Sequence, residues 1–355
     1  MIRTVVLACL GLVSLRTAHS DEFQGRVTEA FRLQKTGQLI EAERVAQAAL
    51  DLARDSPGDS DQNQIVVLLR LNGILLDQGR FAEAEQNGRA TLALAERSPN
   101  NMAFLPSALC TLGDTLIWAG KPAEAKPFLD RALNLLSRSD GPDGSGVDLA
   151  LSLLSRMYRA LGNPERALPL ARRALFLTQK LPHPDRHVVA GAADELGRVL
   201  LFLNQNGAAA VEFRRIIAIF GEDCALDKLC ALARIGLGPA LIKQGRLAEG
   251  TKQLEAGIAM VESLLGRDAM NLGPALGDLG AAYYLQRRYD DAERAIRRGM
   301  AVLDAGSGGL KDEYPKLLVV LADIERARGN KSEAKKTLAS AKAMWREILL
   351  RRSRI

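Results

Sequence analysis

Apolar side chains along this chain recur at spacings of three and four residues, and the pattern restarts every 41 or 42 residues. Spacings of three and four place side chains on one helical face. A short motif marks each restart: Gly, any residue, an apolar residue, any residue, Glu or Asp, then Ala. It reads Gly37-Gln38-Leu39-Ile40-Glu41-Ala42, Gly79-Arg80-Phe81-Ala82-Glu83-Ala84 and Gly120-Lys121-Pro122-Ala123-Glu124-Ala125. Looser copies end at Ala167, Ala209, Gly250, Ala292 and Ala334, so the steps are 42, 41, 42, 42, 41, 42 and 42. An apolar helical face precedes each turn, as in Leu112-Gly113 with Leu116, and another follows it, as in Ala125, Leu129 and Ala132. The unit is therefore helix A, a tight turn at the Gly, then helix B, with small residues where the paired helices approach closely. Segments rich in Pro, Gly and Asp separate the units: 55–59, 140–146 and 181–185. The spacing predicts sixteen main helices over residues 22–350, in eight antiparallel pairs without a sheet.

The first twenty residues break the pattern. Arg3 is followed by an unbroken apolar run, Val5 to Val13, and Ala18-His19-Ser20 precedes the polar Asp21. This reads as a secretory signal peptide over residues 1–20, with a mature domain over 21–355 that is periplasmic or secreted. The alternative is an N-terminal membrane anchor, and Val6-Leu7-Ala8-Cys9 has a faint lipoprotein look. No membrane span is expected in the mature chain. Composition supports an ordered helical protein: 47% of residues are apolar and only 5% aromatic. The net charge of +6 reads as a modest excess spread along the chain, which suits an acidic partner and by itself says little about nucleic acid; no basic cluster is interleaved with aromatics, so no nucleic-acid partner is expected.

The Leu-Gly pairs at 112–113, 196–197, 237–238 and 279–280, Tyr158, Tyr283 and the alanines closing each turn resemble the tetratricopeptide repeat family. The period, the linker Leu181-Pro182-His183-Pro184-Asp185 and the turn Asp290-Asp291-Ala292-Glu293 resemble its kinesin-light-chain subtype. The resemblance implies an all-α, right-handed superhelix, an α-solenoid of eight repeats whose A helices line a concave groove. It implies a non-catalytic scaffold for a protein or peptide ligand. The alternative is a peptide-sensing regulator acting on an effector in trans. The paired Asn of the kinesin-light-chain groove is replaced by Cys110-Thr111, Ser152-Leu153, Asp194-Glu195 and Gly277-Asp278, and no Lys/Asn carboxylate clamp assembles, so neither ligand class carries over.

No enzymatic constellation is recognisable. The three histidines are His19, His183 and His187; no zinc spacing, phosphate loop or dinucleotide loop occurs, and no cofactor is expected. The calcium-like start at Asp59-Ser60-Asp61 fails at Gln64 and Arg70. Repeat offsets bring Arg70, Asp114, Arg156, Arg159, Asp194, Glu195, Arg198, Asp278 and Arg326 toward the groove, with Trp118, Phe202 and Tyr284 as aromatic anchors or inter-repeat packing. Arg156, Arg159 and Arg198 form a basic strip for a ligand carboxylate, or else pair with Asp194 and Glu195. On the first reading, replacing all three with Ser weakens an acidic partner without loss of helicity. Cys110 reads as a buried free thiol. Cys224 and Cys230 are six residues apart at a unit boundary, either bridged across a folded-back loop or independent.

Overall fold

The computed structural model describes residues 18–353 apart from 55–59, 140, 142, 145, 182 and 307. The expected leader lies outside the described residues except for its last three, which open the first helix. Among the described residues there are sixteen α-helices and no strand. They are α1 (Ala18–Lys35), α2 (Leu39–Arg54), α3 (Ser60–Asp77), α4 (Phe81–Arg97), α5 (Leu105–Trp118), α6 (Pro122–Ser139), α7 (Val147–Ala160) and α8 (Pro164–Lys180). They continue as α9 (Arg186–Phe202), α10 (Asn206–Phe220), α11 (Lys228–Ile242), α12 (Leu247–Leu265), α13 (Leu272–Leu285), α14 (Tyr289–Ala305), α15 (Tyr314–Ala327) and α16 (Lys331–Ser353). Short 3-10 turns at Pro99–Phe104, Gly221–Leu226 and Gly309–Glu313 take up part of the linkers.

The chain divides into two compact units, Met1–Val199 and Leu200–Ile355. In the first, α1 to α8 pack as four successive hairpins, and one core cluster runs from Phe23 to Met157. In the second, α10 packs on α11, and α11 to α16 form three hairpins around two apolar clusters.

Why the chain reverses where it does is visible in the backbone. The turn residue has a positive φ at all eight restarts: Gly37, Gly79, Gly120, Gly162, Asn204, Gly245, Arg287 and Gly329. Each helix A closes with a bond from the next amide back five residues, such as Arg80 N to Leu75 O at 3.0 Å and Lys121 N to Leu116 O at 2.8 Å. That is the Schellman arrangement, which needs a left-handed residue and so favours Gly. Asn204 tolerates this conformation, whereas Arg287, at φ 60°, has only the cost.

Five residues past the turn, the chain lies against the helix it has just left. The alanines there are buried. A Cβ on Gly113 would meet Leu129 at 2.5 Å, and one on Gly280 would meet Ile296 at 2.6 Å, so the Leu-Gly pairs are the sockets for helix B. Gly250 replaces the usual Ala because a Cβ there would lie 2.6 Å from the Gly238 carbonyl oxygen. Charged pairs also link successive repeats: Glu43 to Arg80 at 2.6 Å and Glu85 to Lys121 at 2.8 Å. At half-exposed positions these contribute about 0–1 kcal/mol each.

Two substitutions separate these effects. Gly250→Ala is expected to destabilise by about 1–3 kcal/mol, although Ala fills the same place in the other repeats, because the clash is with backbone and outweighs the gain in helix propensity. Arg287→Gly, at an exposed side chain, is expected to raise the melting temperature by about 2–4 °C, the shift for roughly 1 kcal/mol in a unit of this size. Thermal unfolding of both variants checks the signs; a stabilised Gly250→Ala would refute the close-approach account.

Candidate functional site

The 42-residue period makes residues one repeat apart neighbours on adjacent A helices. Asp114 on α5, Arg156 on α7 and Arg198 on α9 occupy the same position in three consecutive repeats. The first two meet: Arg156 Nη1 donates to Asp114 Oδ1 at 2.5 Å. One turn further along α7, Arg159 engages Glu195 through two bonds, Nε to Oε1 at 3.1 Å and Nη2 to Oε2 at 3.0 Å. Ser155 donates to Glu195 Oε1 at 3.2 Å, and Arg156 Nε lies 3.8 Å from Oε2. Arg198 Nε donates to Asp194 Oδ2 at 2.7 Å.

This answers the question the sequence left open. The three arginines stand opposite three carboxylates, and the strip carries no net charge. Burial explains why. The Glu195 side chain is 1% exposed and that of Asp114 7%, and carboxylates at that depth require cations and donors around them. Desolvation alone would lower the pKa of Arg156, but the charges of Asp114, Glu195 and Asp194 overcome it and raise the value. At Arg198 desolvation likewise acts downward, and Asp194 raises the pKa. The guanidinium of Arg156 also lies over the Trp118 ring, 5.8 Å from its centroid.

Within the network Arg198 differs from its companions. Its side chain is 31% exposed, against 15% for Arg156 and 18% for Arg159. Among the described residues Nε is its only guanidinium nitrogen with a hydrogen-bond partner. Asp194 Oδ1 is buried beside it without a partner. The surface at α9 is thus a half-used donor fork over a half-used acceptor.

The remaining candidates lie elsewhere. Arg70 is 4% exposed and lies over the Phe31 ring at 4.3 Å, so its guanidinium packs between α1 and α3 instead of presenting a donor to a groove. In the second unit, Asp278 is exposed on α13, and Arg326 pairs with Asp323 at 3.0 Å. Tyr284 packs against Tyr289 at 5.9 Å within an apolar cluster, which is packing rather than anchoring. Phe202 is 50% exposed. Sequence reasoning missed Ser155 and Phe31. It also missed Asn72, which holds the Asp114 position one repeat earlier, donates to Ala84 O at 2.7 Å and accepts from Thr115 Oγ1 at 3.0 Å. The repeat offset that located Asp114 points to Asn72 as well.

Cys224 and Cys230 form a disulfide with their Cα atoms 5.3 Å apart. The 3-10 turn at Gly221–Leu226 brings Cys224 back to the first turn of α11, where Asp227 accepts from the amide of Leu229 at 2.7 Å. Burial, followed by the charges of Asp114 and Asp148, pushes the Cys110 thiol up to about 12, which leaves it protonated at neutral pH and unsuited to nucleophilic chemistry. Among the described residues no group of three His, Cys, Asp or Glu side chains could hold a metal ion, and no helix is long and apolar enough to cross a membrane.

The pairing also changes what substitution does. Removing Arg156, Arg159 and Arg198 together would leave Asp114 and Glu195 buried without cations, so the triple Ser variant is expected to lose stability as well as charge. Arg156→Ser alone is expected to cost about 3–5 kcal/mol, and Arg198→Ser about 1–2 kcal/mol. Denaturant titration of the two variants checks the order; equal losses would mean that the buried pair is not the structural one.

A family model described as Tetratricopeptide repeat matches residues 104–180, which cover α5 to α8. A protein kinesin light chain-related 2 from Arabidopsis thaliana is 20% identical over 289 residues, covering 81% of this chain and 43% of that protein. This chain thus spans less than half the length of that relative. Among solved structures, BtubC (BKLC) from P. vanneervenii superposes with a TM-score of 0.50 at 17% identity, over 64% of this chain and 90% of the other. A Rap protein complexed with Competence and Sporulation Factor superposes with a TM-score of 0.62 at 14% identity, over 93% of this chain and 99% of the other. The eight left-handed turns at a period of 41 or 42 residues and the socketed helix hairpins agree with these likenesses: residues 104–180 match the tetratricopeptide repeat, and the chain is similar in its repeats to a kinesin light chain-related protein.

Proposed function

We propose that this chain is an exported, non-catalytic scaffold that holds a protein or peptide ligand on the surface made by its A helices, with Arg198 as the contact for an acidic group of that ligand. The observation that carries the reading is the state of Arg198: it is partly exposed, held in place through Nε by Asp194, and its Nη groups face no protein partner among the described residues. A planar fork fixed in this way is suited to a carboxylate. Arg156 and Arg159 are positioning residues on this reading, since their donors already serve Asp114 and Glu195. Export rests on the N-terminal pattern Arg3, Val5 to Val13 and Ala18-His19-Ser20. The Cys224–Cys230 bridge accords with an oxidising compartment.

A second reading, a regulator that senses a signalling ligand, draws support from the Rap protein, whose structure contains Competence and Sporulation Factor and which matches 93% of this chain. Both readings use the same surface and differ in what the bound chain then does.

Photo-crosslinking from positions flanking Arg198, in protein expressed in its native host, tests the shared claim. Ligand peptides are expected to attach on the A-helix side, and Arg198→Glu is expected to weaken capture at least tenfold, equivalent to losing about 1.4 kcal/mol, with unchanged helicity. Crosslinks confined to B helices, or undiminished capture by the variant, would overturn it. N-terminal sequencing of the same material is expected to begin at Asp21.

A further inference from the structure

The chain's positive charge is not spread along it, as its sequence first suggests. Of 48 Lys and Arg and 42 Asp and Glu, residues 331–355 hold eight and two. The preceding 330 residues therefore balance at 40 of each, and the whole excess of +6 belongs to residues 331–355, of which α16 takes up 331–353.

The excess is also ordered in space. With 100° per residue, Lys331, Lys335, Lys342 and Arg346 fall within an arc of roughly 60° on α16, and Leu349 lies in the same arc. All five side chains are exposed, Leu349 at 61%, and Leu350 beside it at 57%. The side at Ala334, Ala341 and Ile348, centred roughly 110° around the helix from the stripe, is buried against the protein. Glu333 and Glu347, the acidic residues of the helix, fall outside the arc, and Glu333 pairs with Lys336 at 3.2 Å. The four cations of the stripe make no ion pair among the described residues, although elsewhere arginines regularly bond a carboxylate three or four residues away.

We propose that this stripe docks the protein onto an anionic lipid surface, with the cations over the headgroups and Leu349 and Leu350 entering the boundary of the acyl region. A line of cations ending in two exposed leucines fits a surface that offers negative charge above hydrocarbon. A phosphate backbone would use the cations and leave the leucines in water. The exposed arc also has no aromatic side chain on which unpaired bases could stack. The proposal is independent of any ligand at Arg198.

Vesicle co-sedimentation of the full chain tests it, reading the difference between phosphatidylglycerol–phosphatidylcholine vesicles and phosphatidylcholine alone. An N-terminal apolar segment would bind both alike and cancels in that difference. The difference is expected to be large at low salt and to collapse at high salt. The triple variant Lys335→Ser, Lys342→Ser, Arg346→Ser is expected to weaken it about a hundredfold, near fivefold per cation. The double variant Leu349→Ser, Leu350→Ser is expected to weaken it about tenfold. Every substituted side chain is exposed, so melting temperature and helicity should hold. No preference for the anionic vesicles would overturn the proposal. So would duplex DNA or polyglutamate binding as tightly as the vesicles with the leucine variant unaffected, which would mark a general polyanion surface.

Discussion

Everything in this fold depends on how closely the two helices of a hairpin approach each other. The left-handed turn residue reverses the chain and sets the register, so the fifth residue beyond it lands on the helix just completed. Only Ala or Gly fits there, and where the helices come closest, at Gly238 and Gly250, only Gly does. Close packing within each hairpin, with turns 41 or 42 residues apart, returns successive A helices of the first unit to the same register. Residues 42 positions apart then become spatial neighbours, which is how Asp114 and Arg156 come within bonding distance. The electrostatics of the A-helix surface thus derive from a steric rule about side chains that are nearly absent.

The charges that this register assembles fall into two kinds. Pairs such as Glu43 with Arg80 lie near solvent and add little apiece. The cluster around Glu195 lies where an unpaired carboxylate would be costly, and its arginines are committed to neutralising it. A basic residue facing a groove is therefore a poor guide to ligand charge until its own partners are known. Arg is suited to both tasks because its fork can satisfy an internal acid with one edge and leave the other edge free, as Arg198 does.

The sequence revealed periodic features well and aperiodic ones poorly. The turns were legible because Gly, the acidic residue and Ala recur, and even the two turns without Gly, at Asn204 and Arg287, kept the register. Asp114, Arg156 and Arg198 were found through the same offset. The pairing of Arg159 with Glu195 was one of two alternatives left open, because the two residues are 36 apart and contacts made by long side chains across helices follow no repeat. Arg70 was misplaced for a similar reason: Phe31, which covers it, belongs to no motif. The pairing of Cys224 with Cys230 turned on whether a linker coils back, and a 3-10 turn of six residues leaves no periodic mark. The segregation of charge onto α16 was open to inspection but invisible to a whole-chain average.

The ion network around Glu195 also bears on how the first unit comes apart. Repeat arrays approximate a one-dimensional chain in which each module senses only its nearest neighbours, and such chains fray from their ends one module at a time. The contacts among Asp114, Arg156, Arg159 and Glu195 tie together α5, α7 and α9, which belong to three successive repeats. Losing the last of them exposes a stranded cation on the one before, which in turn strands an anion on the first. Melting that enters this stretch should therefore take all three repeats in one step, giving a cooperative block inside an architecture whose parts otherwise yield singly.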